Sequence, residues 1–80
     1  MVRLSPEFIY SYVTMYISPW NERGEWHRSN AAEIYRFSNE DIGIIMARKN
    51  YSQTERRYYL KLITTIGTTG WVFEQHLVSC

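Results

Sequence analysis

The chain has one cysteine, Cys80, so no disulfide can form within it. Its two histidines are His27 and His76. With Cys80 they make three nitrogen or sulfur donors, one short of the four that a structural zinc site wants, so no metal is expected. With two prolines and four glycines there is no low-complexity tract, and no internal repeat is visible. Charge of either sign is not in excess: the net value of +1 provides no global field to gather nucleic acid or an acidic membrane. Long apolar runs are also missing. The apolar stretch 8–17 follows Glu7, is interrupted by Ser11 and Thr14, and is too short to span a bilayer. No secretory signal is visible, so cytoplasmic synthesis is the expectation. Catalytic signatures are equally sparse. Gly67-Thr68-Thr69-Gly70 has neither the lysine nor the following helix of a phosphate-cradling loop. Cys80 stands at the last position, where a nucleophile is poorly held. Glu22, Glu25, Glu40 and Asp41 fall in polar turns, where charge is ordinary. Neither an enzyme nor a bound cofactor or small-molecule substrate is expected.

What is present points to an ordered, thinly cored domain. Eighty residues make one domain, which buries only about 60% of the surface its unfolded chain exposes. Apolar residues reach 45% and charged residues 21%, which is not the composition of a disordered chain. Aromatics reach 16%, led by seven tyrosines. Tyrosine suits half-buried strands and interfaces equally well. A small core without disulfide or metal gains most from contact with a partner surface.

Along the chain, residues 2–7 read as a lead-in, with Pro6 opposing regular pairing. Residues 8–17 alternate as a strand: Ile9, Ser11, Val13, Met15 and Ile17 form a core face, and Phe8, Tyr10, Tyr12, Thr14 and Tyr16 an aromatic stripe. Residues 18–30 form a long polar loop carrying Trp20 and Trp26. These tryptophans either fold back as a lid or meet a partner. Ser29 is expected to cap a short helical turn over 30–35. Strands are expected over 41–49, 58–65 and 71–78, joined as an antiparallel meander. Ile42, Ile44, Met46, Leu60, Leu62, Val72 and Leu77 are the expected core.

The C-terminal half resembles the small SH3-like barrel superfold. The resemblance rests on Asp41-Ile42-Gly43-Ile44-Ile45, Tyr58-Tyr59-Leu60-Lys61-Leu62, Gly70-Trp71-Val72 and His76-Leu77-Val78. It implies a mainly β, antiparallel barrel over 32–80, with residues 1–31 as an N-terminal strand and long aromatic loop within a single domain, 1–80. The chain departs from peptide-binding SH3 domains: it has no Ala-Leu-Tyr-Asp-Tyr opening and no acidic loop, and Phe73 stands where that family has proline. What the resemblance implies is therefore an interaction platform without a polyproline groove. A small barrel with a free N-terminal extension also looks like the accessory proteins of bacteriophage particles.

Two functional expectations follow. The first is a non-catalytic protein-interaction module, a structural or accessory component of a larger or homo-oligomeric assembly such as a virion, with Tyr10, Tyr12, Tyr16, Trp20 and Trp26 at the protein interface. Exposed aromatic patches mark binding sites, and tyrosine and tryptophan are enriched at energetic hot spots. The alternative is a nucleic-acid-binding barrel that uses Arg48, Lys49, Arg56 and Arg57, interleaved with Tyr51, Tyr58 and Tyr59, as a basic stacking surface.

Overall fold

The computed structural model describes residues 1–8, 10–52 and 57–80, with Tyr51 and Ser52 described by their backbone alone. Seven strands run in the order β1 (Val2–Leu4), β2 (Tyr12–Tyr16), β3 (Glu33–Ser38), β4 (Ile42–Ser52), β5 (Arg57–Thr64), β6 (Thr69–Phe73) and β7 (Leu77–Ser79). Two single 3-10 turns, Arg28–Asn30 and Glu74–His76, complete the secondary structure. The strands form one antiparallel sheet with the spatial order β3-β2-β6-β5-β4-β1-β7. The sheet curls into a half-barrel, so the protein is mainly β. Among the described residues no helix is long and apolar enough to cross a membrane.

The inner face of the curl holds the core: Val2, Leu4, Val13, Met15, Phe37, Leu60, Leu62 and Val72 are buried, with Phe8, Tyr35 and Leu77 packed against them. Alternation creates this face. Leu60 stands opposite Val72 and Leu62 opposite Gly70 across β5 and β6, and residues directly opposite share a face. Each fully buried aliphatic side chain contributes about 1.5–3 kcal/mol. Gly70 is required by a close approach. A Cβ there would run into the Met15 side chain and lie 2.8 Å from the Tyr16 carbonyl oxygen, so β2 can cross β6 only where β6 has no side chain.

Several local expectations are corrected. The lead-in is a strand: β1 pairs with β4 through Val2 and Arg3 and with β7 through Val2, Arg3 and Leu4, and Pro6 lies just past its end. The strand expected over 8–17 is confined to Tyr12–Tyr16, and Ile17 is exposed. The expected helical turn over 30–35 is instead the 3-10 turn Arg28–Asn30, capped by His27 rather than Ser29, followed directly by β3. The alternation Ile34, Arg36 against Tyr35, Phe37 outweighs the Ser29 capping signal. The last strand is broken by the 3-10 turn Glu74–His76.

The core expectation holds for Leu60, Leu62 and Val72 and fails on β4, where Ile42, Ile44 and Met46 are exposed. The register accounts for part of the failure. Ile45, not Ile44, stands opposite the buried Leu62, Ile44 stands opposite Ile63, and the ladder slips between Ile45 and Ala47. Ile45 is nevertheless 46% exposed, so neither face of this part of β4 is covered.

Candidate aromatic site

The outer face of the sheet carries a continuous aromatic layer, built by the same alternation that builds the core. Tyr16 stands opposite Trp71 across the β2–β6 join. Lys61 is opposite Trp71, Tyr59 is opposite Phe73, and Lys49 is opposite Tyr59. Two rows thus cross the sheet, one through Lys61, Trp71 and Tyr16 and the other through Lys49, Tyr59 and Phe73.

The long loop folds back on this layer as a small hairpin. Trp20 and Trp26 form an antiparallel bridge, flanked by hydrogen bonds from His27 N to Pro19 O at 2.7 Å and from Asn21 N to Glu25 O at 2.8 Å. Asn21 shapes the tip, because its Oδ1 accepts from the N–H groups of Arg23 and Glu25, both at 2.9 Å. Gly24 takes a φ of 76°, a left-handed conformation that glycine adopts without steric cost. Asn30 Nδ2 donates to Trp20 O at 2.7 Å and ties the base. The hairpin sets Trp20 edge-on to Trp71 and to Tyr59, with centroids 5.1 and 5.7 Å apart. Trp26 meets Tyr16 at 6.4 Å. Edge-to-face geometry is the favoured one for such rings. Both indole N–H groups are buried without a hydrogen-bond acceptor among the described residues.

Beyond the hairpin the layer opens into a groove of about 330 Å³, lined by Phe8, Tyr10, Tyr12, Val13, Thr14, Tyr16, Tyr59, Phe73 and His76. Its floor is packed. His76 lies 4.3 Å from Phe8 and 5.1 Å from Phe73, and Tyr59 lies 5.4 Å from Phe73, measured between ring centroids. Burial between the rings holds the His76 imidazole below its ordinary pKa. The Ser5 N–H donates to the His76 carbonyl at 2.8 Å and anchors the segment that carries Phe8. The wall is exposed: Tyr10 retains 64% of its accessible surface and Tyr12 39%.

The five expected interface residues therefore divide. Tyr10, Tyr12 and Tyr16 line one groove, whereas Trp20 and Trp26 are half-buried packing elements beside it. The groove also takes Phe8, Thr14, Tyr59, Phe73 and His76, which were not among the expected site residues. Phe8 and Thr14 belong to the stripe read over 8–17; for Tyr59 and Phe73 the signal was the odd-numbered set Tyr59, Trp71 and Phe73, which alternates with the core set Leu60, Leu62 and Val72.

The basic residues divide too. Arg48 makes a two-pronged ion pair with Glu74, Nε to Oε2 at 2.7 Å and Nη2 to Oε1 at 3.0 Å. Its guanidinium lies 3.6 Å above the centre of the Tyr58 ring. The Glu74 carboxylate holds that guanidinium above its ordinary pKa. Lys49 Nζ sits 4.7 Å above the Trp20 ring, and the Arg36 guanidinium 4.8 Å above Tyr12. Arg57 opens β5 and is exposed. Arg56 lies outside the described residues, as does Ile9, and the side chain of Tyr51 is likewise undescribed. His27 caps the 3-10 turn, its Nδ1 accepting from Ser29 N at 3.2 Å and lying 2.6 Å from Ser29 Oγ. Cys80 is exposed. Comparison of the chain with known protein families, with characterised proteins and with solved structures finds no match.

Proposed function

We propose that this protein is a non-catalytic interaction module that holds an extended segment of a protein partner in the aromatic groove. One observation carries the proposal: Tyr10 and Tyr12, 64% and 39% exposed, stand as a wet wall over a packed floor of Tyr59, Phe73 and His76. Rigid rings with few rotatable bonds offer large contact area at low entropic cost. A groove with an apolar body and hydroxyl tips fits a peptide backbone and its side chains together. Within this proposal the half-barrel is SH3-like, with Gly70-Trp71-Val72, a 3-10 turn and Leu77-Val78 in that superfold's order. The setting is a larger assembly in which the module is a repeated or accessory part, a bacteriophage-type particle being one such setting.

A second reading has its own support. Lys49 over Trp20, Arg36 over Tyr12 and Lys61 opposite Trp71 set cations beside stacking rings, as in single-strand nucleic-acid binders. Glu33 weighs against it, pairing with Arg36 at 3.4 Å. So does Arg48, which is engaged by Glu74.

Peptide-display selection tests the proposal. Selected peptides are expected to shift the NMR signals of Tyr10, Tyr12, Tyr59 and Phe73, with affinity that changes little with salt. Failure to select such peptides, together with oligothymidylate binding that weakens steeply with salt, would move the assignment to nucleic acid.

A further inference from the structure

A second surface lies away from the groove. β4 is paired with β5 along one edge. On its other edge β1 reaches only Ile42 and Gly43. From Ile44 to Lys49 that edge has no strand partner among the described residues. Side chains on both faces of this stretch are wet: Ile44 is 56% exposed, Ile45 46% and Met46 56%. An open ladder flanked by apolar side chains on both faces is a template for one more strand.

We propose that the occupant is a second copy of this chain, joined β4 to β4 in antiparallel fashion about a two-fold axis near Ala47. An edge that pairs with itself in a closed dimer must do so isologously, which for strands means antiparallel. The free stretch suits this pairing. It holds no proline and no acidic residue. An axis near Ala47 sets Arg48 and Lys49 of one copy across from Met46 and Ile45 of the other, so like charges do not face each other. Arg48 is in addition neutralised by Glu74 within its own copy. Beginning at Ile44, the joint clears β1. The register slip between Ile45 and Ala47 shortens the flat part of the edge, so the dimer is weak, with a dissociation constant in the micromolar to millimolar range. This surface does not depend on the groove.

Sedimentation velocity from micromolar to millimolar protein, combined with amide hydrogen exchange, tests the dimer. The expected result is a monomer–dimer equilibrium, with exchange in residues 44–49 slowing as concentration rises. Met46→Lys and, separately, Ile44→Lys should raise the dissociation constant at least about tenfold, because each sets a charge into the joint. Both side chains are exposed in the monomer, so the fold should tolerate them. The concentration-dependent exchange of the unaltered chain serves as readout even if neither variant folds. A monomer at millimolar concentration, or a dimer that Met46→Lys leaves unchanged, overturns the proposal. A dimer whose protection falls on residues 10–16 also overturns it and assigns self-association to the groove.

Discussion

Trp20 meets Trp71 edge to face, ring centroids 5.1 Å apart and planes at 88°. A loop residue and a strand residue separated by most of the chain thus form one packing unit. Truncation at Trp20 removes contacts to Trp71, Tyr59 and Lys49 together. Trp20→Ala is expected to cost about 2–4 kcal/mol, below the upper end for a fully buried tryptophan because the ring is only half-buried. Urea denaturation followed by far-ultraviolet circular dichroism measures it; a loss under about 0.5 kcal/mol would show the hairpin to be an independent flap.

Gly70→Ala should be costly for a different reason. The added methyl would meet the Met15 side chain and the Tyr16 carbonyl, and backbone cannot move aside as a flexible side chain can. A loss of about 1–3 kcal/mol, or more, is expected. For a domain of this size about 1 kcal/mol corresponds to a fall of roughly 4–8 °C in melting temperature. Gly67→Ala serves as a contrast. No described residue lies near its Cβ, and only the φ of 88° opposes the change, so its effect should be the smaller of the two.

The core of β5 and β6 was legible because Leu60, Leu62 and Val72 alternate with Tyr59, Lys61, Trp71 and Phe73, Ile63 being the one aliphatic neighbour. β4 was not, because Ile42, Gly43, Ile44, Ile45 and Met46 are apolar at nearly every position, so alternation leaves the inward face undefined. The ladder sets Ile45 opposite Leu62, yet Ile45 is exposed as well, so the apolar run of β4 marks no buried face. β1 escaped because three residues are too few to show a period, and β3 because the Ser29 capping signal drew attention to a helix. The groove was half legible. The stripe Tyr10, Tyr12, Tyr16 stands out by spacing, and Tyr59 and Phe73 by alternation, but that these meet each other and His76 is decided by long-range pairing that no local pattern encodes.

Asp41 organises the β3–β4 turn. Its carboxylate accepts from the Ser38 N–H at 2.7 Å, from Ser38 Oγ at 3.1 Å and from the Tyr35 hydroxyl at 3.0 Å. The bond to Asp41 holds the Tyr35 phenol above its ordinary pKa. Asp41→Ala should destabilise by about 1–3 kcal/mol. It should also return the Tyr35 titration, followed by ultraviolet absorbance, toward the ordinary phenol value; an unchanged titration would sever that link.

Stability should fall in mild acid through His76. Its folded pKa lies below the unfolded value of 6.5 because burial disfavours the charged ring. At pH above 6.5 both states are neutral and the full stability is present. As pH falls from 6.5 through the folded value, the unfolded chain binds the proton first, and stability declines. His76→Phe should flatten this part of the pH profile. An equally steep decline in that variant would assign the effect to another group.

The central claim is that Tyr10 and Tyr12 serve binding whereas their aromatic neighbours serve the fold. The most direct test is the double variant Tyr10→Ser, Tyr12→Ser, measured for both melting temperature and affinity for a groove-selected peptide. Both rings are exposed, so the melting temperature should move by no more than about 4 °C, the equivalent of under 1 kcal/mol. The affinity should fall by at least about thirtyfold, the equivalent of a hot spot worth 2 kcal/mol. A melting temperature lowered as far as in Trp20→Ala, with affinity preserved in the folded protein, would contradict the account and make the tyrosine wall part of the core.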